Sequence, residues 1–148
     1  MKPGPLPPSY WLLALVLSIV LHLVLPVTQV IPPPWQWLGL VLVVVGGVVT
    51  IWTDQMFKRA QTTVKPHETP STLITRGPYR FSRHPMYAFM ALNLLGASVF
   101  LGSLTAFVGP ALFLVSVELV FIPKEEETMA EAFGDEYVKY RRNVRRWL

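Results

Sequence analysis

Apolar positions along the chain gather into four long runs, Tyr10 to Ile31, Trp35 to Phe57, Met86 to Leu101 and Leu104 to Ile122, separated by two short breaks and one long polar stretch. A hydrocarbon core of roughly 30 Å takes about 20 helical residues at about 1.5 Å each. Each run, counted with its flanks, is near that length and predicts a membrane-crossing helix. The third is the shortest and is predicted to begin at Pro85, because proline suits a first helical position where its missing N–H has no partner to lose. The first run is longer than a signal peptide's apolar stretch of about 7 to 15 residues and no small-x-small cleavage site follows it, so a retained anchor is expected.

The breaks predict the connections. Pro32 to Pro34 joins the first two spans into one hairpin, and Leu101 to Ser103, around Gly102, joins the last two into a tighter one. Between the hairpins lies Lys58 to His84, about 27 residues where helical bundles usually use about 2 to 8. Its β-branched residues, aromatics and prolines do not resemble a flexible linker, and it is expected to be ordered against the C-terminal segment. After Ile122 the apolar spacing changes. Met129, Phe133, Tyr137, Tyr140, Val144 and Trp147 recur at steps of three and four, the period of one face of an amphipathic helix over 123–148, which Gly134 is expected to kink or divide. Small residues at Gly46, Gly47, Gly96 and Ser98 would let spans approach closely.

Composition agrees with this reading. The chain is 52% hydrophobic and 15% charged, where soluble domains average about 25% charged. The expected fold is all-α: one domain over 1–148, an integral membrane bundle of four transmembrane helices in two hairpins, with a cytoplasmic loop and an amphipathic C-terminal helix. All 13 Lys and Arg lie before Pro8, in Lys58 to His84, or after Ile122. By the positive-inside rule both termini and the middle loop are cytoplasmic, and a bacterial inner membrane is the expected location. The net charge of +4 then marks orientation and contact with membrane lipids, with no nucleic-acid partner expected. Cysteine is absent and the three histidines, His22, His67 and His84, are scattered. A metal enzyme and a cysteine nucleophile are therefore not expected.

Three polar features are placed to converge: STLITRGPY at Ser71 to Tyr79, RHPMY at Arg83 to Tyr87, and Glu125 to Glu127 followed by FGDEYVKY at Phe133 to Tyr140. In this order they resemble the membrane-embedded methyltransferases that include isoprenylcysteine carboxyl methyltransferase and phosphatidylethanolamine N-methyltransferase. The resemblance extends from about Trp52 to Trp147. It implies S-adenosyl-L-methionine as methyl donor, S-adenosyl-L-homocysteine as product and a cofactor pocket closed by the C-terminal helix. It also implies that Ser71, Thr72, Leu73, Ile74 and Tyr79 line the cofactor from the loop, that His84, Pro85, Met86 and Tyr87 do so from the start of the third span, and that Glu125, with Glu126 beside it, does so from the C-terminal helix. The residue types suit such a ligand, which needs acceptors for hydroxyls and an ammonium, donors for a carboxylate and electron-rich rings near a sulfonium.

Each feature has a plainer reading by itself. Arg83 and His84 suit interfacial anchors, Tyr79 and Tyr87 an aromatic belt, Gly77 and Pro78 a turn, and the glutamates a solvated helix start. Two positions depart from the prenylcysteine enzymes: Phe121 stands where they carry an arginine toward a substrate carboxylate, and Val64 falls where they carry a glutamine. Glu118, inside the fourth span and seven residues before Glu125, is expected on a similar helix face, where a carboxylate would orient an amine or take a proton. Its plainer role is a structural hydrogen bond to Asn93 or to an arginine such as Arg83. Arg83 and Glu118 are the candidate catalytic residues, and His22 is expected to pack or bridge helices. The implied reaction is in-line methyl transfer to a lipophilic small molecule or lipid, with carboxylate, amine, phenol and thiol acceptors all open. A scaffold or binding protein that keeps the fold is the alternative, and a channel or transporter, lacking an inverted repeat, is a third.

Overall fold

The computed structural model describes residues 6–63 and 70–148. Val64 and His67, singled out above, lie outside the described residues. Helices α1 (Pro7–Val24), α2 (Trp37–Arg59), α3 (Pro85–Leu101), α4 (Val108–Ser116), α5 (Ile122–Phe133) and α6 (Asp135–Asn143) follow in order. Short 3-10 turns at Gly77–Arg80 and Leu104–Phe107 precede α3 and α4. No strand ladder forms among the described residues, only two isolated bridges. By length and apolarity Pro7–Val24, Trp37–Arg59 and the nearly continuous Leu104–Phe133 can each cross a membrane, and Pro85–Leu101 is a shorter apolar helix.

Local sequence sets most boundaries. α1 ends at Val24, short of the expected Ile31, because Pro26 disfavours helical geometry at Leu25, whose φ/ψ of −133° and 63° leave the helix. α3 starts at Pro85, as expected, and ends at Gly102, whose φ of +78° suits only glycine without strain. Gly134, at φ +48°, divides α5 from α6. The helix then stops at Asn143 and Val144 is extended, so the expected helix over 123–148 is two helices and a non-helical tail. Where α4 meets α5, Val117–Phe121 forms a π-turn. Pro123 explains it, since a proline within a long helix has no N–H to donate and collides with the carbonyl four residues back.

α3 is central. It packs along α2 on one side and against α1 and α4 on the other, and α1 packs mainly on α4. The core joins Tyr87, Met90, Ala91 and Leu94 of α3 to Ala14, Phe113, Val117, Phe121 and Ile122. Phe121 sits among Tyr10 and Tyr87, with ring centroids 5.1 and 6.3 Å away, and is buried. α2 and α3 approach through Gly39, Gly46 and Gly96, and the Asn93 amide donates to the Val43 carbonyl at 2.8 Å. At the far end His22 Nδ1 lies 2.9 Å from Ser103 Oγ, so this histidine bridges α1 to the turn before α4. The start of α1, the end of α2, the start of α3 and helices α5 and α6 meet at the opposite end, around one cavity.

Candidate active site

The segment after Pro70 is ordered against α2 and the C-terminal helices. Ile74, Tyr79 and Phe57 form a small buried cluster in which the two rings meet edge to face at 5.5 Å. Gly77 makes the turn at φ +63°, and a side chain there would press on the Met56 thioether. The Tyr140 hydroxyl donates to the Tyr79 carbonyl at 2.6 Å. The Arg83 N–H donates to the Arg145 carbonyl at 2.8 Å. These bonds fasten the loop to α6 and the tail.

Beyond the turn the motif residues converge. The buried His84 ring lies between two carboxylates, its Nδ1 3.2 Å from Glu125 Oε2 and its Nε2 3.4 Å from Glu126 Oε1. One helical turn on, the Tyr87 hydroxyl donates to Glu125 Oε1, and the His84 and Tyr87 rings are nearly parallel at 6.0 Å. Glu126 turns the other way, to Arg83 Nη2 at 2.9 Å and Arg146 Nη2 at 2.8 Å. Burial disfavours the His84 cation, but hydrogen bonds to Glu125 and Glu126 outweigh it and raise the imidazole pKa. The Tyr79 phenol is pushed up by burial and then by the charge of Glu125, and that of Tyr140 by burial first. Both stay protonated donors at working pH.

The His84 shift carries a pH signature. A raised folded-state pKa contributes stability that is fully present below the ordinary imidazole value of about 6.5 and is lost as pH rises through the raised value. The unfolding midpoint in detergent is expected to fall as pH rises past the ordinary imidazole value and through the raised one, and His84→Gln is expected to flatten the decline. A decline equally steep in His84→Gln would assign it to other groups.

The cavity holds about 540 Å³, within the roughly 300 to 1,000 Å³ common for small-molecule sites. Leu73, Ile74, Tyr79, Arg83, His84, Met86, Tyr87 and Glu125 line it. The other expected residues do not. Ser71 and Thr72 are exposed, and the Ser71 hydroxyl donates to the Gln61 carbonyl at 3.4 Å. Pro85 is buried at the head of α3, and Glu126 faces Arg83 and Arg146 behind the wall. Glu118 stands outside the cavity, bound by Arg146 Nη1 at 2.7 Å and by the Trp147 indole N–H at 3.0 Å. Seven residues return to one face only at 3.6 residues per turn. The π-turn Val117–Phe121, which contains Glu118, breaks that register and sends Glu118 and Glu125 to different faces. The plainer reading, a structural bond to an arginine, is what the structure shows, with Arg146 in place of Arg83, while Asn93 donates to Val43.

The cavity also takes residues that were not named individually from the sequence, although Tyr137 and Tyr140 belong to the FGDEYVKY stretch expected to converge there. Gly47, Thr50 and Asp54 line it from α2, Trp11 from α1, and Met129, Tyr137 and Tyr140 from α5 and α6. The signal for α2 was its spacing, since steps of three and four put small and polar groups on one stripe of an otherwise apolar helix. Asp54 pairs with the exposed Lys58 at 2.5 Å.

Comparison with known proteins gives the family. The phospholipid methyltransferase family profile matches residues 35–136. A probable protein-S-isoprenylcysteine O-methyltransferase of Oryza sativa, found alike in subspecies indica and japonica, is 32% identical over 111 residues, 74% of this chain and 58% of the rice protein. The chain thus spans somewhat over half the length of these relatives. An uncharacterized protein of Haemophilus influenzae is 38% identical over 63 residues, 43% of this chain and 100% of its own length. With three apolar helices long enough to span a bilayer and a family match over residues 35–136, which takes in the cavity residues of α2, α3 and α5, the chain belongs to the phospholipid methyltransferase family.

Proposed function

We propose that this protein crosses the membrane four times, with both termini and the loop before α3 in the cytoplasm, and acts as an S-adenosylmethionine-dependent methyltransferase on a lipophilic acceptor at the cytoplasmic face. The observation that carries the reading is one cavity, about 540 Å³, in which Tyr87, His84 and Glu125 meet under α5 and α6 while its opposite wall is the apolar start of α1 and the side of α2. The residues fit the cofactor by type. Glu125 accepts from hydroxyl or ammonium groups, Tyr79 and Tyr140 contribute protonated phenols, and Leu73 and Ile74 offer an apolar bed for a base. When bound, S-adenosylmethionine supplies a methyl group on a positively charged sulfur, and the aromatic walls suit that charge.

α1 and α2 share no extended contact, so the gap between them at Trp11 and Ile51 is the route for an acceptor with an apolar tail. Thr50, Asp54 and Asn93 form the polar wall that would meet its head. The chain's part in catalysis is then alignment of two ligands and exclusion of water beneath α5 and α6.

Titration of the detergent-purified protein with S-adenosylhomocysteine tests the cofactor half, and transfer of label from S-adenosylmethionine to extracted lipids tests the acceptor half. Micromolar binding is expected. Tyr87→Phe, which removes one hydrogen bond to Glu125, is expected to weaken it about 2- to 10-fold. Binding without transfer to any lipid would favour a scaffold or binding protein, and absence of binding by the folded protein would sink the enzymatic reading.

A further inference from the structure

Three carboxylates and three basic groups run outward from the cavity wall to the end of the chain. Glu125 faces the cavity and is held by Tyr87 and His84. His84 reaches Glu126, and Glu126 reaches Arg83 and Arg146. Arg146 then reaches Glu118, which also accepts from Trp147. The His84 imidazole and the Arg83 and Arg146 guanidiniums thus alternate with the three glutamates.

Arg146 has a particular place in this line. Glu118 stands in the π-turn and Glu126 in the first turns of α5, and one guanidinium joins them: Nη1 at 2.7 Å from Glu118, Nη2 at 2.8 Å and Nε at 3.3 Å from Glu126. The tail's backbone adds a second connection. The Ser82 hydroxyl donates to the Arg146 carbonyl at 3.0 Å, and Ser82 Oγ in turn accepts the His84 N–H at 3.1 Å. The Arg83 N–H donates to the Arg145 carbonyl. His84 is therefore held from the tail twice, through Glu126 at its ring and through Ser82 at its backbone. Arg146 itself is absent from the cavity wall.

We propose that residues 144–148 form a strap and that Arg146 is a positioning residue, which fixes Glu126 and His84 so that Glu125 presents its carboxylate to the cofactor. This rests on the methyltransferase reading. The fork matters as much as the charge, because a lysine ammonium is a point charge that cannot give parallel bonds to Glu126 while holding Glu118.

The test compares wild type, Arg146→Gln and Arg146→Lys in detergent by titration with S-adenosylhomocysteine, with the unfolding midpoint of each. Arg146→Gln is expected to bind about tenfold more weakly while remaining folded at the titration temperature, and Arg146→Lys to recover part of the loss, to about threefold weaker than wild type. Wild-type affinity in Arg146→Gln would overturn the proposal, as would a lysine variant no better than glutamine. Should Arg146→Gln not fold, Arg146→Lys decides alone, since wild-type affinity there would make the fork irrelevant. A wild type that does not bind overturns the methyltransferase reading instead. Hydrogen exchange on the ligand-free protein tests the strap apart from that reading. The Arg83 and His84 amides are expected to exchange at least about tenfold faster in Arg146→Gln, and unchanged protection would remove the strap.

Discussion

Replacing Glu125 by glutamine is expected to weaken S-adenosylhomocysteine binding by about 10- to 150-fold, the equivalent of about 1.5 to 3 kcal/mol for hydrogen bonds made to a charged group. Glutamine keeps the size and can still accept from Tyr87, so the cavity wall stays in place. Lost are the charge beside His84 Nδ1 and the acceptor strength that Glu125 brings to the cavity. The His84 cation then has one carboxylate neighbour in place of two, and the stability it adds below neutral pH should shrink as well. Titration calorimetry beside an unfolding curve separates the two effects. Unchanged affinity with a smaller pH response would make Glu125 a structural partner of His84 that does not touch the cofactor.

Glu125 was legible through the resemblance carried by the order of its motifs, since its local pattern alone reads as a solvated helix start and its partner Tyr87 lies 38 residues earlier. His84, Tyr87 and Glu125 could be expected together before any coordinates, and the apolar runs announced the long helices. What escaped depended on backbone geometry that apolarity does not encode. Residues 25–31 are as apolar as the helix before them, yet Pro26 ends α1 early. The face assigned to Glu118 assumed an undisturbed helix, although Pro123, printed in the sequence, forces the π-turn that turns it away.

The tail escaped for another reason. The three-and-four spacing continues through Val144 and Trp147, so periodicity predicts helix there. Arg146 and Trp147 instead turn to Glu118 and Glu126, partners 20 to 29 residues earlier, and these bonds outweigh a last helical turn at the chain's end. Asp54 and Thr50 were hidden because one side of α2 faces a cavity that exists only once α3, α5 and α6 are assembled around it.

That assembly depends on the glycine contact between α2 and α3, and Gly96→Val is expected to be the most damaging single change for the fold. A Cβ on Gly96 would stand 2.6 Å from the Gly39 carbonyl oxygen and 2.7 Å from the Val43 nitrogen, both backbone atoms that cannot swing aside. The helices would have to separate, losing the Asn93 to Val43 hydrogen bond and the close packing around Gly46. Overpacking of this kind usually costs about 1 to 3 kcal/mol, and a β-branched residue against two backbone atoms belongs at or above the upper end. The unfolding midpoint in detergent should fall by roughly 10 °C. Cofactor affinity should fall with it even at temperatures where the variant is folded, because Thr50 and Asp54 on α2 move away from Met86, Tyr87 and Asn93 on α3. Gly47→Ala provides the comparison one position from Gly46. Its Cβ would meet only the Asn93 amide, at 3.8 Å, and its midpoint should stay within about 2 °C of wild type. Equal midpoints for Gly96→Val and Gly47→Ala would show that α2 and α3 do not depend on glycine for their approach.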